Sequence, residues 1–143
     1  MFKPDPDGSK VSGPVDKNLS LIKDNLRRIQ EEGGSGNFVI FLADEQANYF
    51  IQFAGQNRDP MLIGEAPENR LIPDAFTLIP AKLKILEDLG WQFHAHSGMN
   101  YSQEWQAVTD KHRSAIAQVV LQTFQQVYGV DINQPLKVEI NLS

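Results

Sequence analysis

The stretch NFVIFLADEQANYFIQFAGQNRDPMLIGE, residues 37–65, decides the fold class. It contains three apolar runs, at 38–42, 49–54 and 61–64, and polar segments separate them. Aromatic and β-branched residues fill the runs, whereas the separating segments carry the Asp, Asn, Gly and Pro residues that favour turns. The pattern predicts an antiparallel meander of three strands, which forms one side of a core with helices packed on it.

Helical periodicity begins before this meander. Apolar residues recur there every three or four positions, as on one helix face: Leu19, Ile22, Leu26 and Ile29. The pattern predicts a helix that Asp16 caps, that exposes Gln30 to water and that ends at Gly33.

A second helix is predicted from Pro80 to Leu89. Proline suits the first helical position, and Gly90 suits the left-handed residue just past a helix end. Trp91 would then pack on Leu86 in the core.

The C-terminal third of the chain predicts one more helix and one more strand. Thr109 or Asp110 can cap a helix whose apolar face runs to about Tyr128 and which Gly129 ends. Strict alternation of apolar and polar residues at 136–142 indicates a strand with one buried face.

Bulk properties narrow the protein class. A chain of 143 residues fits one domain, and we expect a flexible tail at 1–14 followed by a single α+β domain at 15–143. The net charge of −5 disfavours nucleic-acid and anionic membrane partners. The chain contains no cysteine, which excludes disulfides and fits a cytoplasmic location. No apolar signal-peptide segment or membrane-length run is seen.

No set of residues in the sequence requires catalysis. His94 and His96 would lie on one face of a strand, and Asp110, His112 or Glu104 could in principle complete a metal site. No third ligand has the spacing of a known motif, so a solvent-exposed polar loop is favoured, and we expect no metal and no cofactor.

The other polar groups near the predicted sheet have structural explanations. Asp44 and Glu45 fall in a predicted hairpin loop, where polar residues belong. Glu65 ends a strand, and its structural interpretation is a carboxylate that pairs with Arg70 or the sheet margin. The nucleophile motif Gly-x-Ser-x-Gly is absent. The sequence therefore predicts a protein that is not an enzyme.

Several short motifs follow one another in a definite order. They are YFIQFA at 49–54, Glu65, Asn69 with Leu71, Leu89-Gly90-Trp91, Asn100-Tyr101 with Trp105, and Tyr128-Gly129-Val130. In order and spacing these motifs resemble the TY-Chap domains of bacterial proteins, which are grouped with YbjN-like proteins and type III secretion chaperones. The resemblance covers about residues 19–131.

The resemblance implies a type III secretion chaperone-like fold. Its layout is α-β-β-β-α-β-β-α, with a twisted antiparallel sheet and helices packed mainly on one face. The alternating segment at 136–142 adds a C-terminal strand to that layout. The resemblance also implies a peptide- or protein-binding domain that is often dimeric and has no catalytic residues.

We therefore expect a cytoplasmic, homodimeric chaperone- or adaptor-like domain that holds an extended segment of a partner protein. Binding would use strand addition at a sheet edge or apolar pockets on the sheet. The candidate peptide-binding residues are apolar residues of the meander: Phe38, Ile40, Tyr49, Ile51, Phe53 and Leu62. The alternatives are a structural subunit of a larger assembly and a small metal-binding protein that uses His94 and His96.

Overall fold

The computed structural model describes residues 13–93 and 100–143. The elements they form are, in chain order, α1 (Pro14–Glu31), β1 (Asn37–Asp44), β2 (Tyr49–Gly55), β3 (Met61–Pro67), α2 (Pro80–Asp88), β4 (Gln92–Phe93), β5 (Asn100–Gln106), α3 (Asp110–Gln126) and β6 (Lys137–Asn141). Two 3-10 turns, Asn69–Leu71 and Asp74–Phe76, lie between β3 and α2. This architecture confirms the predicted α+β class and element order. His94 and His96 lie outside the described residues.

The six described strands form one antiparallel sheet in the order β4-β5-β3-β2-β1-β6. The predicted meander of β1, β2 and β3 occupies its middle. β6 pairs with β1 over five residues, from Lys137 opposite Leu42 to Asn141 opposite Phe38. The alternating C-terminal segment is therefore a strand, and it covers the edge that β1 would otherwise expose.

The core lies between the helices and one face of the sheet, called here the inner face. Val39 pairs with Phe53, and Phe41 pairs with Ile51, so these side chains share that face. None of the four is exposed. The helices complete the same cluster with buried residues that include Ile22, Leu26, Ile29, Leu86, Ile116, Val120 and Phe124. Alternation along each strand thus sends one set of side chains into the core.

The start of α1 differs from the sequence expectation. The helix begins at Pro14 with Gly13 at the N-cap position, rather than at a cap supplied by Asp16. Proline suits this first position because its fixed φ is already helical and its missing N–H would have had no intrahelical acceptor. Asp16 lies instead within the first turn of the helix.

Gln30 is buried, whereas the sequence pattern places it in solvent. Its amide group donates hydrogen bonds to the backbone carbonyls of Asp59, Pro60 and Ala107 at 3.1–3.2 Å. Its oxygen accepts one from Nε of the buried Arg113 at 2.8 Å. Both the nitrogen and the oxygen of this buried amide therefore have hydrogen-bond partners, and these bonds connect α1 to two loops and to α3.

The end of α2 follows the prediction. The Gly90 N–H donates to Glu87 O at 2.9 Å, and the Trp91 N–H donates to Leu86 O at 3.2 Å. Gly90 has a φ of 101°, a conformation that favours glycine. These two bonds form a Schellman motif, which directs the fully buried Trp91 into the core.

Candidate functional site

The sheet face opposite the helices, called here the outer face, carries an apolar groove. The residues that form it, called here the groove residues, are Phe38 and Ile40 on β1, Ala54 on β2 and Ile63 on β3. Phe38 is 41% exposed and Ile63 is 40% exposed. The α-helices in the described ranges contribute their buried side chains to the inner-face core, so none of them covers this groove.

The strand register brings the groove residues together. Phe38 pairs with Ala54, and Ala54 pairs with Ile63, which gives an apolar row across three strands. In the neighbouring row Ile40 pairs with Gln52, and Gln52 pairs with Glu65. Directly opposed residues in an antiparallel sheet have Cβ atoms about 5 Å apart on the same face. One row is therefore wholly apolar, and the next row combines the apolar Ile40 with the polar Gln52 and Glu65.

The groove encloses a cavity of about 440 Å³. It lies between Phe38 and Ile40 on β1, residues 52–54 on β2, and Ile63 and Glu65 on β3. A second cavity of about 260 Å³ shares Phe38, Ala54 and Ile63 with the first and extends toward Met61 and the loop at 35–36. The two cavities together make a continuous depression across the middle of the sheet.

Glu65 supplies the charged group of the groove. Its Oε2 atom accepts a hydrogen bond from Nε2 of Gln52 at 2.6 Å and one from Nδ2 of Asn100 at 3.2 Å. The sequence left Arg70 or the sheet margin as the partner of Glu65. Arg70 pairs with Glu68 instead, its Nε 3.0 Å from Oε2, and the partners of Glu65 lie on the neighbouring strands β2 and β5. Two neutral amides therefore orient the Glu65 carboxylate, and no cation among the described residues neutralises it.

The structure does not bring the six sequence-predicted binding residues together. Phe38 and Ile40 lie in the groove. Ile51, Phe53 and Leu62 have no exposed side-chain surface, because their positions alternate toward the inner face, where the helices cover them. A peptide on the outer face can contact the first two side chains but not these three.

Tyr49 belongs to the inner side as well. Its hydroxyl donates to the backbone carbonyl of Phe76 at 2.6 Å, and its ring lies 4.9 Å from the ring of Tyr128. Burial, with a smaller contribution from the negative charge of Asp44, raises the pKa of the Tyr49 hydroxyl above its ordinary value. These contacts make Tyr49 a packing residue that holds the segment before α2.

Ala54 and Ile63 are the groove residues that the sequence-based set omits, and it also omits their polar neighbours Gln52 and Glu65. Alternation along β1 separates Phe38 and Ile40 from Val39 and Phe41. Alternation alone does not show which residues of β2 and β3 lie beside Phe38, because that depends on the pairing register.

One edge of the sheet offers a second, smaller binding possibility. The short β4 pairs only with Tyr101 and Ser102, so residues 103–106 of β5 have no outer neighbour among the described strands. At the opposite edge, β6 alternates exposed Lys137, Glu139 and Asn141 with half-buried apolar residues. Charged residues on an edge strand oppose uncontrolled strand addition.

The described part of the chain contains neither a metal site nor a helix that could span a membrane. Among residues 13–93 and 100–143, no group of three or more His, Asp, Glu or Cys side chains could hold a metal ion. The helices in those ranges also lack the combination of length and apolar character needed to cross a membrane.

Comparison with known proteins identifies the family. Searches of the curated proteins and of the solved structures each find no match for this chain. A family model described as T3SS (YopN, CesT) and YbjN peptide-binding chaperone 3, or TY-Chap3, matches residues 22–140. That match runs from α1 through β6 and includes every groove residue. The chain therefore belongs to the TY-Chap3 family of peptide-binding chaperones.

Proposed function

We propose that this chain is a non-enzymatic, chaperone- or adaptor-like domain that holds an extended segment of a partner protein in the outer-face groove. Family membership supports peptide binding in general. One observation supports the outer-face groove as the binding site. Phe38 and Ile63 are 41% and 40% exposed, and both lie in the same row as Ala54 on a face that no described helix covers. Contiguous exposed apolar surface of this kind is typical of a protein interaction site.

An extended segment suits the groove better than a compact ligand. Alternate side chains of an extended chain are about 7 Å apart, and a chain that crosses the strands meets Phe38 and Ile63 two strand spacings, about 10 Å, apart. A peptide with apolar side chains at alternate positions can therefore place them against successive groove residues. Its backbone groups remain free to reach water or the polar row of Gln52 and Glu65.

The revised site replaces the buried members of the sequence-based set. The proposed contacts are Phe38, Ile40, Ala54 and Ile63, with Gln52 and Glu65 as polar neighbours. Ile51, Phe53 and Leu62 support these residues from the inner face and have no direct contact with the peptide.

The experiment compares two double variants that remove exposed apolar side chains. Peptides of about twelve residues are selected against the full chain from a random library, and their affinities are measured by fluorescence polarisation. F38S/I63S removes the two exposed groove side chains. I79S/V108S is the matched control, since Ile79 and Val108 are 60% and 66% exposed but lie in loops outside the groove.

F38S/I63S should weaken binding about tenfold or more, because a truncated central apolar contact costs about 2 kcal/mol. I79S/V108S should bind as the native chain does. Equal loss in both variants would contradict the groove as the binding site. A chain that selects no peptide but purifies in fixed stoichiometry with another protein would support a structural subunit instead.

A further inference from the structure

Three carboxylates surround the apolar groove on the outer face. Glu139 on β6 pairs with Ile40, and Glu104 on β5 pairs with Ile63. Glu65 lies between them, opposite Gln52. Because paired residues share a face, all three carboxylates are on the side of the sheet that carries Phe38 and Ile63.

The charge of this face is strongly unbalanced. Among the described residues no cation pairs with Glu65, Glu104 or Glu139. Lys137 is the one basic residue on the outer-face positions of the described strands, and its Nζ lies 3.1 Å from a carboxylate oxygen of Glu45. The groove therefore combines apolar side chains with unneutralised negative charge.

We infer, on the basis of the proposed function, that the occupant is an extended segment of a partner protein that is both apolar and basic. Its apolar side chains lie against Phe38 and Ile63, and its Lys or Arg residues lie near Glu104 and Glu139. Charge complementarity of this kind selects partners and speeds their encounter. An acidic segment of the same shape is rejected by the same three carboxylates.

The register also sets the length of the recognised segment. Glu139 and Glu104 are separated by four strand intervals, across β6, β1, β2, β3 and β5. With strands about 4.8 Å apart and the two residues offset by about 7 Å along the strands, this separation is about 20 Å, which about six residues of extended chain span. Two basic residues about six positions apart, with alternating apolar residues between them, therefore match the groove.

A second copy of this chain is a poorer occupant of the groove. A symmetric dimer would place two copies of the same face against each other and bring carboxylates toward carboxylates. Juxtaposed like charges oppose such a contact. The net charge of −5 also disfavours association of two copies at low ionic strength.

The test uses three fluorescein-labelled peptides that differ only in their end charges. They are KSVSFSK, QSVSFSQ and ESVSFSE, whose end residues are six positions apart, and binding to the full chain is measured by fluorescence polarisation. The basic peptide should bind at least fivefold more tightly than the neutral one, and the acidic peptide should bind least. Raising the salt concentration from about 0.05 to 0.5 M should narrow these differences, since salt screens exposed charges.

Variants of the protein test the same inference by removing the carboxylates instead of changing the peptide. E104Q/E139Q should lower affinity for the basic peptide about fivefold and leave affinity for the neutral peptide unchanged, as expected for two solvent-exposed ion pairs. E87Q/D88N changes the net charge equally on α2, away from the groove, and should alter neither affinity.

The remaining outcomes distinguish failure of this inference from failure of the proposed function. Equal affinity for the basic and neutral peptides would overturn this inference and leave the proposed function standing. Failure of the native chain to bind any of these peptides or any library peptide would overturn both. A concentration-dependent dimer in sedimentation that F38S/I63S abolishes would show a second copy in the groove and would also overturn the inference.

Discussion

The indole nitrogen Nε1 of Trp91 donates a hydrogen bond of 3.0 Å to the hydroxyl oxygen of Thr123, and neither side chain is exposed. The Thr123 hydroxyl donates in turn to the backbone carbonyl of Val119 at 2.7 Å. The Trp91 ring also lies edge-on to Trp105, with ring centres 5.7 Å apart. One tryptophan thus connects the end of α2, the last turn of α3 and β5.

Loss of this hydrogen bond should destabilise the fold measurably. T123V keeps the shape of the side chain but leaves the buried indole N–H without its acceptor, which should cost about 1–3 kcal/mol of unfolding free energy. W91A removes a large core side chain and should cost about 3–5 kcal/mol. Urea unfolding provides the measurement, and T123S, which keeps the hydroxyl, is the matched control. A T123V protein as stable as the native chain would contradict the role of this bond.

A side chain at position 64, which is Gly64 in this chain, should lower the stability of the fold. A Cβ atom at this position would lie 2.9 Å from atoms of both the Phe53 and Trp105 rings, whose centres are 5.6 Å apart on the inner face. G64A should therefore lower stability by about 1–3 kcal/mol through overpacking. I63A, at the neighbouring outer-face position, should cost less because Ile63 is 40% exposed. Thermal unfolding of both variants provides the measurement. A larger loss of stability in I63A than in G64A would contradict this prediction.

Asp110 should contribute to stability in a pH-dependent way. A hydrogen bond from Arg113 at 2.8 Å, together with the positive charge of Arg27, holds the pKa of this carboxyl below its ordinary value of 3.8. The ionised form therefore stabilises the folded state above that pH, and the contribution disappears as pH falls through the lowered folded-state pKa. The side chain is half exposed, so the effect should be small.

D110N should remove this dependence. Its unfolding free energy should fall less steeply between about pH 4 and pH 2.5 than that of the native chain, because the unfolded state no longer gains a proton at this position. Urea unfolding across this range is the measurement. D88N, which removes an exposed carboxylate from α2, controls for the general loss of one negative charge. Parallel curves for D110N and the native chain would disprove the assignment.

Deletion of residues 135–143 should expose the β1 edge. The side-chain amide of Asn18 donates to the carbonyls of Ile132 and Gln134, and its oxygen accepts from the Leu136 N–H at 3.2 Å. These bonds direct β6 onto β1 of its own chain. Removing β6 leaves an unpaired strand that contains Phe38 and Ile40, and such edges associate readily.

Sedimentation of the full and truncated chains at matched concentrations should show stronger association after the deletion. The homodimer expected from the sequence remains a prediction, and the same experiment tests it. If a full-length dimer dissolved on truncation, β6 would have to be exchanged between subunits. A truncated chain that stays monomeric and equally stable would contradict the exposed-edge argument.

Chelation should leave the thermal unfolding temperature unchanged. The described residues contain no group of three side chains suited to a metal ion, so no metal-dependent folding energy is expected from them. A stoichiometric zinc or nickel signal in protein purified without a histidine tag, lost in H94A/H96A, would contradict this expectation. The native chain dialysed without chelator provides the baseline.

The sequence alone determined the elements and most of their ends. Pro80 and Gly90 mark the limits of α2, and alternation identifies β6, because proline, glycine and side-chain periodicity act through local backbone geometry. The meander and the buried Trp91 followed from the same local rules. A resemblance built on short ordered motifs likewise identified the family that matches residues 22–140.

Only the tertiary structure decided which apolar side chains remain free to bind. Phe38 and Phe53 are both aromatic residues of predicted strands, yet one is 41% exposed and the other is fully buried. The difference arises from the register that pairs Phe38 with Ala54, and from the helices that cover the opposite face. Composition and periodicity describe each strand by itself, whereas a groove requires residues from several strands at one place. The carboxylates of Glu65, Glu104 and Glu139 share one face of the sheet for the same reason, since these residues are on different strands and only the pairing register places them together.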